Sequence, residues 1–179
     1  GENPHQKGSY YNKKNNKSIY DGVIQLGKAL SYNNLLDINS ALECINEFNE
    51  PTCVIIKHNN PCGVASSKNI ASSFQNAYLS DRISAFGGII ILNRKLNTNL
   101  SKIISNIFFE IILAPSFSPE SKKIFGKKKK LILIETNILT NEKDNEIKKI
   151  HGGFLTQQKN TIRFSKKNLK LVSNTKGST

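Results

Sequence analysis

Val54-Ile55-Ile56-Lys57-His58-Asn59-Asn60-Pro61-Cys62-Gly63 is the most informative stretch of the chain. Its first three residues are β-branched and apolar, the composition of a strand buried on both faces. The run then breaks into Lys57 and His58, followed by an Asn59-Asn60-Pro61 turn and Gly63. A buried strand ending on this pair places a cation and a titratable base at a sheet edge. Open α/β sheets bind ligands at the carboxyl ends of their strands, so we expect the pair at that edge. Histidine titrates near ~6.5 when unperturbed and can take a proton at neutral pH. An adjacent lysine favours the neutral imidazole and can stabilise negative charge at a reacting centre. Asn60-Pro61 pins an extended backbone, and Gly63 lets a ligand or a chain segment approach closely.

Working outward, apolar runs and helical periodicity alternate. Ser18 to Gln25 reads as a short strand. Ala41, Cys44, Ile45 and Phe48 recur at helical spacing over Asp37 to Glu50, with Asp37 or Asn39 as caps. Pro51 stops that helix, and Thr52 to Lys57 follows as a buried strand. A helix over Asn69 to Leu79 leads to a strand over Gly87 to Leu92. A helix over Thr98 to Phe108 leads to a strand over Glu110 to Ala114, ended by Pro115. A short helix over Pro119 to Phe125 precedes a strand over Leu131 to Glu135. This order predicts an α/β fold with three layers, α/β/α, and a mainly parallel sheet. Lys13 to Lys17 is a polar turn, and Asn137 to Lys149 should be a mobile loop. His151 to Leu155 resembles a strand bent at Gly152-Gly153, and a basic tail runs from Gln157 to Thr179.

The 179 residues suffice for one domain with a real core, and the 37% apolar content is enough to fold it. The lack of Met and the opening on Gly1-Glu2-Asn3-Pro4 suggest a piece of a longer protein. The net charge is +13, from 26 Lys and Arg against 13 Asp and Glu. Lys, Asn and Ile are abundant throughout, so composition explains the charge better than a nucleic-acid footprint, which would cluster. Cys44, Cys53 and Cys62 form no C-x-x-C pair, which points to a reducing cytoplasm. No apolar run approaches the ~18 residues of a membrane span.

Other clusters have functional and ordinary readings side by side. Glu2-Asn3-Pro4-His5-Gln6 reads as a surface loop or as a set of hydrogen-bonding groups for a heteroaromatic ligand. Asp81 to Gly88 reads as a tight helix-to-strand connection, or as backbone amides near a ligand with Phe86 stacked on a flat ring. Glu110 heads a strand, where solvation alone explains a carboxylate. Ser31-Tyr32-Asn33-Asn34 reads as a cap, and Lys127 to Lys130 as a solvated turn, with phosphate binding the lesser reading. Pro61-Cys62 is half of a zinc-deaminase signature, but H-x-E is absent and no cysteine follows at the required spacing.

In order, GENPHQ, GKALSYNN, KHNNPCG, SAFGGII and EIILAP closely resemble the transformylase region of a family of bifunctional purine-biosynthesis enzymes. Those enzymes join 5-aminoimidazole-4-carboxamide ribonucleotide (AICAR) formyltransferase to inosine monophosphate cyclohydrolase. The resemblance runs from Gly1 to about Ser173. It implies a cytidine-deaminase-like fold without zinc, with residues 1–136 as the first of two tandem transformylase subdomains. Residues 137–179 then form a loop, short strand and basic tail leading toward the second.

It further implies transfer of a formyl group from 10-formyltetrahydrofolate, as co-substrate, to the 5-amino group of AICAR, with no metal required. His58 matches the proton acceptor and Lys57 the transition-state stabiliser. Gly87, Glu110 (often Asp in the family), Asn3, His5 and Asn60 make up the substrate-binding set. Ile83 and Phe86 fall near the folate pocket. The expected partners are AICAR, the folate and a second copy in a homodimer, in the cytoplasm, without nucleic acid or membrane. The family's Arg-Tyr pair before GENPHQ, its cyclohydrolase domain and its second transformylase subdomain are not in these residues, so the chain alone should be inactive or very weak. The alternative is a non-catalytic basic module for nucleic acid or a partner protein, whose binding would depend strongly on salt.

Overall fold

Strand β2 (Thr52–Lys57) lies second from one edge of a six-stranded sheet in the computed structural model. The structure describes residues 1–12, 18–25, 27–136, 145–160 and 170. Two compact units are present, Gly1–Thr140 and Asn141–Thr179. In the first, a 3-10 turn (Ile19–Gly22) leads into β1 (Val23–Gln25). Helix α1 (Tyr32–Ile45), β2 and β3 (Asn60–Ser66) come next. Helices α2 (Ile70–Ser80) and α3 (Arg82–Ala85) precede β4 (Ile89–Leu92). Then follow α4 (Thr98–Ile104), β5 (Ile111–Ala114), α5 (Pro119–Gly126) and β6 (Ile132–Glu135).

The strand order is β1-β6-β5-β4-β2-β3. Pairing is parallel across β4, β5 and β6, and antiparallel at β1–β6, β2–β4 and β2–β3. Four of the six strands therefore point the same way, while β1 and β2 oppose them. The sheet is mixed and mostly of one direction.

Alternating side chains fill both faces. Cys53, Ile55, Ile90, Leu92, Ile112, Ala114 and Leu133 pack with Phe74, Ala77, Leu100, Ile104 and Phe125 from the helices of one face. Val54, Ile56, Ile89, Ile91, Ile111, Leu113, Ile132 and Ile134 pack with Ile38, Ala41 and Ile45 of α1 on the other. Burial on both faces explains why these strands read as unbroken apolar runs.

Several expectations change. Helix α1 begins at Tyr32, because Ser31 and Asn34 form a reciprocal cap in which each side chain accepts from the other's backbone N–H. Half of Ser18 to Gln25 is the 3-10 turn, and the strand is confined to Val23–Gln25. Helix α4 ends at Ile104. Pro61 does not continue a turn: it lies in β3, an edge strand, where its missing N–H costs no ladder bond.

In the second unit, β7 (Asn145–Ile150) pairs antiparallel with β8 (Gly153–Gln158). The loop expected over Asn137 to Lys149 is thus a strand from Asn145 onward. Residues 13–17, 137–144 and the tail beyond 160, Lys170 apart, lie outside the described residues. Among the described residues, no helix is long and apolar enough to cross a membrane.

Candidate functional site

Register places the site. Ile56 of β2 pairs with Ile89, Ile89 with Ile111, and Ile111 with Ile132. Because β2 runs against β4, Lys57 and His58 lie at the amino ends of β4, β5 and β6. The expectation of a site at the carboxyl edge of the parallel strands is therefore corrected. The residues just ahead of those strands, Gly87, Gly88 and Glu110, arrive at the same edge.

The polar link across this edge comes from Lys57, whose Nζ donates to the Phe86 carbonyl at 2.7 Å. Gly87 N donates to Phe108 O at 2.9 Å and Glu110 N to Gly88 O at 3.0 Å, tying the two connections together. Gly87 has φ +74°, a left-handed backbone that favours glycine. Phe86 and Phe108 meet at 5.3 Å between ring centroids. Ile83 is 89% exposed and Phe86 59%, so this side of the edge is open to solvent.

The turn is displaced by one residue from the sequence reading. Lys57 pairs with Asn60, and His58 (φ 53°) and Asn59 (φ 62°) make a two-residue hairpin loop. Positive φ at both central positions is the geometry whose twist suits a tight hairpin. His and Asn are among the residues that tolerate it. Asp37 of α1 anchors the loop by accepting from Asn59 N at 2.7 Å, and Ser40 Oγ donates to Asn59 Oδ1 at 3.2 Å. Asn60 Nδ2 donates to the His58 carbonyl at 2.9 Å. His58 is exposed at the tip.

Replacing Asn59 by Val should cost about 1–2 kcal/mol, because a β-branched residue is strained at this φ. Asn59→Gly should stay within about 0.5 kcal/mol, since glycine adopts the conformation freely and loses only the Ser40 contact. Urea unfolding of the two variants checks this, and equal midpoints would show that backbone strain does not set the turn.

Glu110 is half-buried and held by two donors. Lys28 Nζ donates to Oε2 at 2.8 Å and Asn34 Nδ2 donates to the same oxygen at 3.2 Å. Burial pushes its carboxyl up. The Lys28 and Asn34 hydrogen bonds and the charges of Lys28 and Lys57 outweigh this and hold it below the ordinary carboxylate range. Asp81 caps α3, accepting from Ser84 N at 2.9 Å and Ser84 Oγ at 2.5 Å. Those bonds lower its carboxyl.

The amino-terminal segment is a local turn in which Asn3 N and Nδ2 both donate to Gln6 Oε1, at 3.0 and 2.9 Å. Asn33 Nδ2 reaches the Glu2 carbonyl at 3.2 Å, beside the helix end that carries Asn34. Asn3 thus donates within its own turn, and both it and His5 are exposed.

Gly63 serves packing: a Cβ there would lie 2.0 Å from the Ala77 carbonyl oxygen, so α2 crosses directly over β3. Cys62 Sγ donates to Ile55 O at 3.5 Å, and burial raises its thiol. Among the described residues no group of three or more His, Cys, Asp or Glu could hold a metal ion.

Two cavities lie apart from the hairpin tip. One of about 260 Å³ is walled by Ile104, Ile107, Phe108, Phe125, Leu131 and the Lys128–Lys130 turn. Another of about 370 Å³ lies among Tyr10, Tyr20, Leu30, Tyr32 and Leu35. Neither is lined by Lys57 or His58. The open edge between the hairpin and Glu110 is the better candidate, because it gathers the charged groups.

Sequence reading passes over Lys28 and takes Asn34 only as part of a cap, a role the structure confirms. It takes Asp37 as a cap where it instead holds Asn59. Lys28 and Asn34 stand in the GKALSYNN motif, but only three-dimensional pairing reveals that they face Glu110 and gives them a place at the site.

The whole chain, residues 1–179, matches the family described as AICARFT/IMPCHase bienzyme. The bifunctional purine biosynthesis protein PurH of Buchnera aphidicola subsp. Baizongia pistaciae is 52% identical over 162 residues, 88% of this chain and 31% of that protein. PurH of Ruminiclostridium cellulolyticum is 42% identical over 178 residues, 97% of this chain and 35% of that protein. PurH of Thermoanaerobacter sp. is 43% identical over 177 residues, 97% and 34% of the two chains. The chain spans about a third of the length of the curated relatives it matches. A match over the full length and relatives of this similarity lead to one conclusion: the chain belongs to the AICARFT/IMPCHase bienzyme family.

Proposed function

We propose that this chain is the first of two tandem cytidine-deaminase-like subdomains of an AICAR formyltransferase that needs no zinc. In this reading it moves the formyl group of 10-formyltetrahydrofolate to the 5-amino group of AICAR in purine biosynthesis. The supporting observation is the convergence of Lys57, Gly87 and Glu110 on one sheet edge beside the exposed His58.

The 5-amino group is conjugated with the carboxamide and is a poor nucleophile, so a base within hydrogen-bond reach matters. The amine nitrogen attacks the formyl carbon, and His58 accepts the amine proton. The carbonyl oxygen becomes an oxyanion beside the Lys57 ammonium. Lys57 has three N–H donors and spends one on the Phe86 carbonyl, which aims the ammonium and leaves two for the oxyanion. Collapse breaks the bond from carbon to the folate nitrogen, which leaves with the proton that His58 had accepted. Gly87, Glu110, Asn3, His5 and Asn60 form the ribonucleotide side, and Ile83 and Phe86 the folate side.

An oxyanion is stabilised best where water is excluded. Ile83 and Phe86 are open to solvent here, so we infer that the remainder of a homodimeric enzyme closes the site. The chain alone is then inactive or very weak.

Titrating the 179-residue chain with AICAR and separately with RNA tests the reading. Saturable shifts at the Gly87 and Glu110 amides on adding AICAR are expected. RNA binding with a steep logarithmic salt dependence and no response to AICAR would replace the enzyme reading with that of a basic binding module.

A further inference from the structure

The GKALSYNN motif contributes two side chains that the chemistry above does not use. Lys28, ahead of α1, and Asn34, in its first turn, reach 82 and 76 residues along the chain to one carboxylate oxygen of Glu110. Both bonds end on Oε2, so Oε1 is the atom left to accept from a ligand. Asn34 is itself fixed, since its Oδ1 accepts from Ser31 N at 3.2 Å and its backbone N–H donates to Ser31 Oγ at 3.1 Å. The clamp on Glu110 is thus built onto a helix cap rather than onto a free loop.

We propose that Lys28 is a positioning residue: it locks one oxygen of Glu110 so that the other meets a donor group of the ribonucleotide at a fixed place. The proposal rests on the formyltransferase reading above. A free glutamate loses several side-chain torsions when it first engages a ligand, and that ordering weakens binding. A carboxylate already pinned by a charge-assisted bond loses fewer. Lys28 and Glu110 are both partly exposed, with side-chain accessibilities of 45% and 31%. Coulomb attraction at such a place is screened and modest, so the effect of Lys28 is chiefly geometric.

The charged groups facing Glu110 are Lys28, from the segment ahead of α1, and Lys57, from the end of β2. Its carboxyl is lowered in the folded chain, so binding that needs the carboxylate persists at neutral pH. It is lost as the pH falls through that lowered value. Without Lys28, burial counts for more and the loss moves to higher pH.

The test uses the 179-residue chain with carboxyl-labelled glutamate, following the Glu110 carboxyl by NMR together with an AICAR titration. Lys28→Met should raise the pH at which Glu110 titrates. It should also weaken AICAR binding by about tenfold, with the gap widening toward acid. Lys28→Arg should restore both readouts, separating a positioning role from a general disturbance of the fold. If wild type binds AICAR and Lys28→Met binds it equally well with the same pH profile, the proposal is overturned while the functional reading stands. If wild type does not bind AICAR at all, the functional reading falls and takes this proposal with it, whatever the Glu110 titration shows.

Discussion

Exchanging His58 for Asn is expected to lower formyl-transfer turnover by about 10²- to 10⁴-fold, the usual range for loss of a positioned general base. The measurement calls for a chimera in which residues 1–179 replace the matching segment of the Buchnera PurH protein. Asparagine is the better replacement because His58 has φ 53°. Alanine at that conformation would add backbone strain to the loss of the imidazole, whereas Asn adopts it readily. The loss should fall on kcat, with KM for AICAR nearly unchanged, because the proton is accepted only as the bond forms.

Lys57→Met should cost about 10²- to 10³-fold in kcat for a different reason, the loss of an oxyanion donor. It also frees the Phe86 carbonyl, so KM for the folate should rise as well. Activity of His58→Asn within a few-fold of the parent chimera would remove His58 from the mechanism. A rise in KM alone would make it a binding residue instead.

Much of this arrangement was legible in the sequence, for local reasons. β2 was read to its bounds because five consecutive buried residues followed by the half-buried Lys57 are unlike anything beside them. Helix α2 was found within a residue, since Asn69 caps it and Phe74 and Ala77 keep helical spacing. The Ser31 to Asn34 cap was legible, but the helix was started late, at Asp37, because Leu35 stands apart from the stretch where periodicity is plain.

β3 was missed because Pro61 and Gly63 both argue against a strand. The sheet overrides them: Pro61 sits on an edge, and Gly63 is required by the helix crossing above it. Strand direction was the deeper loss. A two-residue hairpin makes β2 and β3 antiparallel, and the crossover through α2 and α3 then returns β4 against β2. No residue in β2 encodes that choice, so the edge carrying Lys57 could not be assigned from the run alone. His58, Gly87 and Glu110 could be singled out by type and motif. Their common edge depends on the strand pairings Ile56 to Ile89 and Ile89 to Ile111, and the part played by Lys28 on a bond 82 residues apart, none of which local pattern records.

Gly63→Ala is expected to destabilise the fold more than any surface change at the site. The added Cβ would stand 2.0 Å from Ala77 O, 2.8 Å from Ala77 C and 3.3 Å from Ala77 Cα, all backbone atoms of α2. No rotamer can relieve a clash with backbone, so the helix must lift from β3. Phe74 and Ala77 on the inner side of α2 are buried against Cys53 and Ile55, and lifting the helix opens gaps that forfeit those contacts. Overpacking of this kind costs about 3 kcal/mol or somewhat more, a large part of the 5–15 kcal/mol typical of a domain.

In urea, the midpoint should fall by about 1–2 M at an ordinary slope. Gly126→Ala is the matched control: it ends α5, is exposed and has nothing within 4 Å of the new Cβ. It should be neutral or stabilising by up to about 1 kcal/mol. The effect at Gly63 should also reach the site, because α2 leads directly into Asp81, which caps α3 and so sets Phe86 and its bond from Lys57. Weakened AICAR binding in the fraction that remains folded would show that link. A Gly63→Ala chain as stable as wild type would mean that α2 does not crowd β3, and that the glycine is there for a ligand after all.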